Sequence, residues 1–255
     1  MLKPFDDLHS DLNTLSPHPE PDLLKKALLS AGNKEFKGIA HLWLSEGIPF
    51  AFLSSPAVYQ QLRSELARLL DVGIKDISVV GSSRIGYSLA DHKFGKEFGD
   101  QSDLDLCAVN SELFNRAKRD TEKFIADFES GVTTTKSDDV RTRWSNNCEY
   151  LPKNIHKGFI DIKMVPAIKG KYDCISSIKD SIWRVSCRLK NTSDTPNFQS
   201  LSIRIYKDWP SMVNQVSRSL NRLVVSLTAT DELPKVAAAS PPTPSVNQDS
   251  GNRIS

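Results

Sequence analysis

The run Ile77-Ser78-Val79-Val80-Gly81-Ser82-Ser83-Arg84-Ile85-Gly86, followed by Ser102-Asp103-Leu104-Asp105-Leu106-Cys107-Ala108-Val109, decides how this chain reads. Ile77 to Val80 is a short β-branched burst that ends in Gly81-Ser82, the pattern of a buried strand delivering a small-residue turn. Such a turn lets backbone N–H groups come close to an anion. Asp103 and Asp105 head a second apolar burst and stand two apart. A strand therefore points both carboxylates to one face and turns Leu104 and Leu106 into the core.

Two like charges side by side repel, and a divalent cation between them removes the conflict. Hard Mg²⁺ suits carboxylate oxygen and also holds substrate phosphates. A strand ending in Gly-Ser, then a strand carrying Asp-x-Asp between apolar residues, resembles the nucleotidyltransferase superfamily of DNA polymerase beta, the poly(A) polymerases and the cyclic-dinucleotide synthases. Gly81-Ser82-Ser83-Arg84-Ile85-Gly86-Tyr87-Ser88-Leu89 with Ser102-Asp103-Leu104-Asp105-Leu106 is most similar to stand-alone bacterial members, including those of anti-phage loci.

The resemblance implies a third carboxylate on a later strand. Gly158-Phe159-Ile160-Asp161-Ile162-Lys163-Met164-Val165 is the later segment with one Asp centred in an apolar run, so Asp161 is the expected third ligand. Asp138 and Asp139 are rivals without apolar neighbours. The resemblance further implies Mg²⁺, or Mn²⁺ in its place, on Asp103, Asp105 and Asp161, and a nucleoside triphosphate met by Gly81, Ser82, Ser83 and Arg84. Lys163, on the face of Asp161, and Arg204 and Lys207 further on are its expected cationic partners. An exposed arginine or a solvated helix face would give the same sequence at these cationic positions. Twenty residues separate Ser82 from Asp103, more than the family pattern has, and residues 89–100 read as a loop inserted over the mouth of the site.

The expected activity is transfer of a nucleoside monophosphate from an NTP or dNTP to a hydroxyl of a nucleotide, RNA, DNA or protein, with release of pyrophosphate. A short oligonucleotide or cyclic signal would be read by an effector protein. A non-catalytic nucleotide-binding or antitoxin-like regulator on the same fold is the alternative, and loss of a carboxylate is its expected mark.

Composition sets the outer limits. A length of 255 residues suits one domain with additions or two small ones. A net charge of +2 does not suggest a protein that wraps long nucleic acid. No run of eighteen apolar residues occurs, and the acidic, proline-broken start is unlike a signal peptide, so no membrane partner and a cytoplasmic location are expected. Cys107, Cys148, Cys174 and Cys187 have no Cys-x-x-Cys or zinc-type spacing and read as free thiols.

The predicted fold is α+β: a polymerase-beta-type core, a small mixed sheet backed by helices, with a helical C-terminal part. Residues 1–21 read as a loosely held arm, 22–170 as the catalytic core, 171–230 as a helical lobe and 231–255 as a disordered tail. Within the core, helices are expected from Asp22, from Pro56 and from Ser111, a buried connector over 41–52, and irregular polar chain over 131–157. Leu201, Ile205, Trp209, Met212, Val216 and Leu220 read as one or two helices, broken near Pro210.

Overall fold

Alternation of aliphatic and polar residues builds the centre of the molecule. In the computed structural model, which describes residues 10–231, the elements in chain order are α1 (Pro21–Ser30), α2 (Asn33–Leu42), α3 (Pro56–Leu70), β1 (Ile77–Val80) and the single turn α4 (Ser82–Ile85). They continue with β2 (Leu104–Val109), α5 (Ser111–Glu129), α6 (Asp138–His156), β3 (Phe159–Asp161), α7 (Asp173–Lys190), β4 (Leu201–Tyr206) and α8 (Trp209–Asp231). The strands form one mixed sheet in the order β1-β2-β4-β3. β1 and β3 are antiparallel to their neighbours, and β2 and β4 are parallel. A parallel pair needs a crossover, supplied here by the chain through α5, α6, β3 and α7. The chain is thus α+β with a small mixed sheet. Among the described residues no helix is long and apolar enough to cross a membrane.

The register sorts the side chains by face. Ile77 pairs with Ala108, Val79 with Leu106, Leu106 with Ile203 and Ile160 with Ile205, so these residues share one face. That face is buried under Leu62 and Leu66 of α3, Leu113, Ala117 and Phe124 of α5, and Ile175 and Ile178 of α7. Each fully buried aliphatic side chain contributes about 1.5–3 kcal/mol before the entropy of ordering it is set against the gain. The opposite face carries Asp105, Cys107, Ser202, Arg204, Tyr206, Phe159 and Asp161. Its β-end half is closed by Met212 and Val213 of α8 over Cys107, Val109, Phe159 and Tyr206. The other half is open.

Local signals start and stop the helices. Pro56 opens α3 and Asp71 closes it in the left-handed region at φ 58°. Asn110 caps α5 by accepting from Leu113 N–H at 2.9 Å. The same side chain donates to Asp76, tying the start of α5 to the approach to β1.

Three expectations differ from the structure. Residues 131–157 are not irregular throughout, because α6 occupies most of them. Ser137 caps it, Asp138 and Asp139 sit in its first turn where negative charge is favoured, and Trp144, Cys148, Leu151 and Ile155 pack inward at helical spacing. Pro152 inside the helix masked that periodicity in the sequence. Residues 171–230 are not a separate helical lobe. Leu201-Ser202-Ile203-Arg204-Ile205-Tyr206 is β4, an inner strand, and Trp209-Pro210 opens α8 rather than breaking a helix. Leu201 and Ile205 also satisfy helical spacing, which is why the strand reads ambiguously. The arm, where it is described, is held: Leu12 is buried against Leu24 and Leu28, and Pro19 carbonyl accepts from Tyr87 Oη at 2.8 Å. Residues 1–9 of the arm and all but the first residue of the predicted tail lie outside the described residues.

Candidate functional site

The open half of the polar face is the floor of a cleft of about 460 Å³. Gly81 and Ser82 stand at one side of it, Asp105, Asp161, Ser202 and Arg204 on its floor, and Met212, Gln215, Val216, Ser219 and Arg222 of α8 form a wall. Ser88, Leu89, Ala90 and Asp91 close the mouth. They belong to a hairpin-like excursion in which Ser88 N–H donates to Lys96 carbonyl and Phe98 N–H to Gly86 carbonyl, with Phe94 edge-on to Tyr87. The long segment between Ser82 and Asp103 is therefore ordered, and it borders the cleft.

β2 and β4 fix the two neighbouring carboxylates together. Ser200 Oγ donates to Asp103 Oδ1 and Ser202 Oγ to Asp105 Oδ1, the same offset repeated along two parallel strands. Burial raises the Asp105 pKa above its ordinary value, and the charge of Asp103 pushes it further up, while Ser202, Lys163 and Arg204 work against the rise. An ionised pair here is held against its own repulsion and desolvation.

At Gly81 the backbone adopts φ 70°, and a Cβ there would lie 3.3 Å from Asp105 Oδ2. Glycine is required twice over, by the backbone and by the closeness of the carboxylate. Ser82 begins the next turn, half-exposed at the cleft.

Asp161 lies on the same face as Asp105, two strands from β2, roughly 10 Å across the sheet. Its Oδ2 accepts from Arg204 Nη2 at 3.1 Å and its Oδ1 from Lys163 N–H at 3.1 Å. Lys163 Nζ reaches back to 3.7 Å from Asp103 Oδ2. Lys163 thus bridges Asp161 and Asp103, and both cations act on Asp105 through their charge.

The remaining expected site residues fall elsewhere. Arg84 is 2 % exposed and donates from Nε to Trp43 carbonyl and from Nη1 to Gly47 carbonyl, so it pins the 43–52 connector instead of facing the cleft. Ser83 is fully buried with its hydroxyl on Val80 carbonyl. Lys207 lies beyond the far end of β4, beside Gly158, roughly 16 Å along the strand from Ser202. On α8 the cleft is lined by Arg222. Arg222 and Asp91 interact electrostatically across the mouth, where Asp91 is held below its ordinary pKa by its hydrogen bonds from His92 and, more weakly, by Arg222.

Ser200, Ser202 and Gln215 were not singled out in the sequence. Ser200 and Ser202 had a signal: they alternate with Leu201 and Ile203 as Asp103 and Asp105 alternate with Leu104 and Leu106. Gln215 had none, since a polar side chain on an amphipathic helix reads as solvated.

Among the described residues no three or more His, Cys, Asp and Glu side chains converge as a metal-ready group. The donor chemistry nonetheless fits a hard divalent cation at the Asp103–Asp105 pair. Both are carboxylates with one oxygen steadied by a serine, and of the other two oxygens Asp103 Oδ2 has Lys163 Nζ at 3.7 Å while Asp105 Oδ2 lies on the Gly81 side of the cleft. Asp161, engaged by Arg204, is not part of that pair in this arrangement. Comparison of the chain with family models, with curated proteins and with solved structures returned no match.

Proposed function

We propose that this chain is a nucleotidyltransferase of the polymerase-beta type that moves a nucleoside monophosphate from an NTP or dNTP to a hydroxyl acceptor. One observation carries the reading: Asp105 and Asp161 stand on the floor of one cleft, Asp103 two residues before Asp105 carries the matching serine contact, and the Gly81-Ser82 turn is so close that a Cβ at Gly81 would lie 3.3 Å from Asp105 Oδ2. In the reaction the acceptor oxygen bonds to the α-phosphorus, and the bond from that phosphorus to the oxygen bridging to the β-phosphate breaks. The hydroxyl proton passes to a carboxylate oxygen of Asp161, and pyrophosphate leaves.

Mg²⁺ or Mn²⁺, held by Asp103 and Asp105, supplies when bound the positive charge that offsets the triphosphate and lowers the pKa of the acceptor hydroxyl. Ser200 and Ser202 hold the two carboxylates in one orientation. Gly81 and Ser82 offer backbone and hydroxyl groups to the terminal phosphates. Arg204 fixes the direction of Asp161 through their 3.1 Å hydrogen bond. Arg222 adds positive charge at the mouth, and the apolar side chains of Leu89, Met212, Val216 and Leu220 form a wall suited to a base. The product classes this reading favours are an extended nucleic-acid end and a short oligonucleotide or cyclic signal, the signal acting on an effector protein in the cytoplasm of a bacterium under phage attack.

The test is incubation with each α-labelled nucleoside triphosphate and Mg²⁺, alone and with added RNA, DNA or lysate. Metal-dependent pyrophosphate release, lost in Asp103→Ala and in Asp105→Ala with the fold retained, is expected. Undiminished release by either variant removes the assignment. The pairing of Asp161 with Arg204 favours a second reading, a nucleotide-binding regulator without turnover. It predicts nucleotide binding with no pyrophosphate release under any of these conditions.

A further inference from the structure

A second groove, of about 450 Å³, runs between α7 and the start of β4. Lys179, Ile182, Trp183, Ser186 and Lys190 form one face of α7 along it, and Lys163, Ser200 and Ser202 stand on the other side. Trp183 is 68 % exposed, the most exposed of the large hydrophobic side chains among the described residues. An indole left in water on a helix otherwise buried by Ile175, Ile178 and Val185 has no role in the core. Three lysines line the groove and no acidic residue does. The groove also joins the cleft: Ser202 and Ile203 line both. Ser200 and Lys163 each touch Asp103, and Lys163 N–H donates to Asp161.

We infer that this groove binds the acceptor, and that the acceptor is a single-stranded nucleic acid with a base stacked on Trp183 and its phosphates beside Lys163 and Lys190. The inference rests on the transferase reading for the word acceptor, and on charge and shape for the ligand. An exposed flat π-surface between cations matches a chain that alternates bases with phosphates. An acidic peptide would satisfy the lysines and leave the indole without a partner. A strand lying here would run toward the carboxylates, opposite the side where Gly81 and Ser82 would meet the triphosphate. The acceptor then enters from one side and pyrophosphate leaves toward the other, which is compatible with an in-line displacement at the α-phosphorus.

The ligand half is tested without catalysis. Fluorescein-labelled single-stranded RNA and DNA of about ten nucleotides, within the span of one such binding face, are titrated with the full chain in EDTA and followed by anisotropy. Trp183→Ala should weaken binding roughly tenfold, and Trp183→Phe should restore most of the loss. Lys190→Gln should lower the slope of log affinity against log salt by about 0.7. The melting temperature of each variant should match the parent, because the altered side chains are exposed.

Binding that Trp183→Ala leaves unchanged, or that poly-glutamate competes away as readily as an unlabelled oligonucleotide, overturns the inference. Pyrophosphate release from the same preparations separates the two failures. Release with oligonucleotide binding indifferent to Trp183 removes this groove and keeps the transferase. Trp183-dependent binding with no release under any condition removes the transferase and, with it, the acceptor role.

Discussion

Asp105 and Cys107 are two residues apart on the same face of β2, and they live in different surroundings. Cys107 is fully buried beneath Met212 and Val213, and burial pushes its thiol up to about 12. Asp105 looks into an open cleft with a serine hydroxyl on one oxygen and the other 3.3 Å from where a Cβ on Gly81 would stand. The difference is made by α8, which crosses one half of the face and leaves the other uncovered. A carboxylate pair cannot be sealed into an apolar layer without large cost. The same strand shows the contrast across its thickness: the side chains of Leu104, Leu106 and Ala108 are buried in the core. One half of one face is thus kept out of the packing, at some expense to stability, and that half holds the acids.

Four substitutions test this division. The largest effect is expected from Asp105→Ala, which should cut metal-dependent pyrophosphate release by roughly 10²–10³-fold or more while circular dichroism and melting stay those of a folded protein. Leu106→Ala, one residue on but on the other face, should do the reverse. It should cost about 2–5 kcal/mol in a denaturant titration through the cavity it leaves. If Leu106→Ala spares stability, the division of β2 into a structural and a functional face fails.

Gly81→Ala should affect both quantities. Its positive φ strains an L-residue by about 1–3 kcal/mol, and the added methyl crowds Asp105 Oδ2, so reduced stability should accompany reduced nucleotide affinity. Loss of one without the other would separate the turn from the acid it touches.

The smallest effect carries the sharpest sign. Because the folded-state pKa of Asp105 is raised, the native protein binds more protons than the unfolded chain in the window between the ordinary and the raised value. Stability therefore falls as pH rises through that window, and the cost is fully present above it. Asp105→Asn removes the charge and keeps an acceptor for Ser202. It should melt higher than the parent at neutral pH, with the advantage vanishing below the ordinary carboxylate range. An equal or lower midpoint at neutral pH would mean that Asp105 is not held against its preference.

How much of this was legible varied with how local the signal was. β1 and β2 read directly, because Ile77 to Val80 and Leu104 to Val109 carry their own pattern and turn residues. α3 and α5 read from Pro56 and from the apolar stripe of Leu113, Phe114, Ala117 and Phe124. α6 was hidden by Pro152 and by the polar first turn that in fact stabilises it. β4 was hidden because Leu201 and Ile205 fit two periodicities, and only its neighbours select one. Arg84 shows the limit most plainly, since an arginine after a Gly-Ser turn looks like an anion ligand until Trp43 and Gly47 present their carbonyls to it.

The sequence by itself determined the two acid-bearing strand patterns, the turn before them and the face to which Asp103 and Asp105 point, because alternation along a strand is a property of the chain alone. Tertiary structure alone decided that β4 enters between β2 and β3, that Ser200 and Ser202 hold the carboxylates, that Arg204 takes Asp161, and that α8 walls the cleft without covering it. The strand order and the contacts on it depend on which segments pair across nearly a hundred residues. Pairing is settled by burial of the shared apolar face, a sum over the whole core that no local stretch contains.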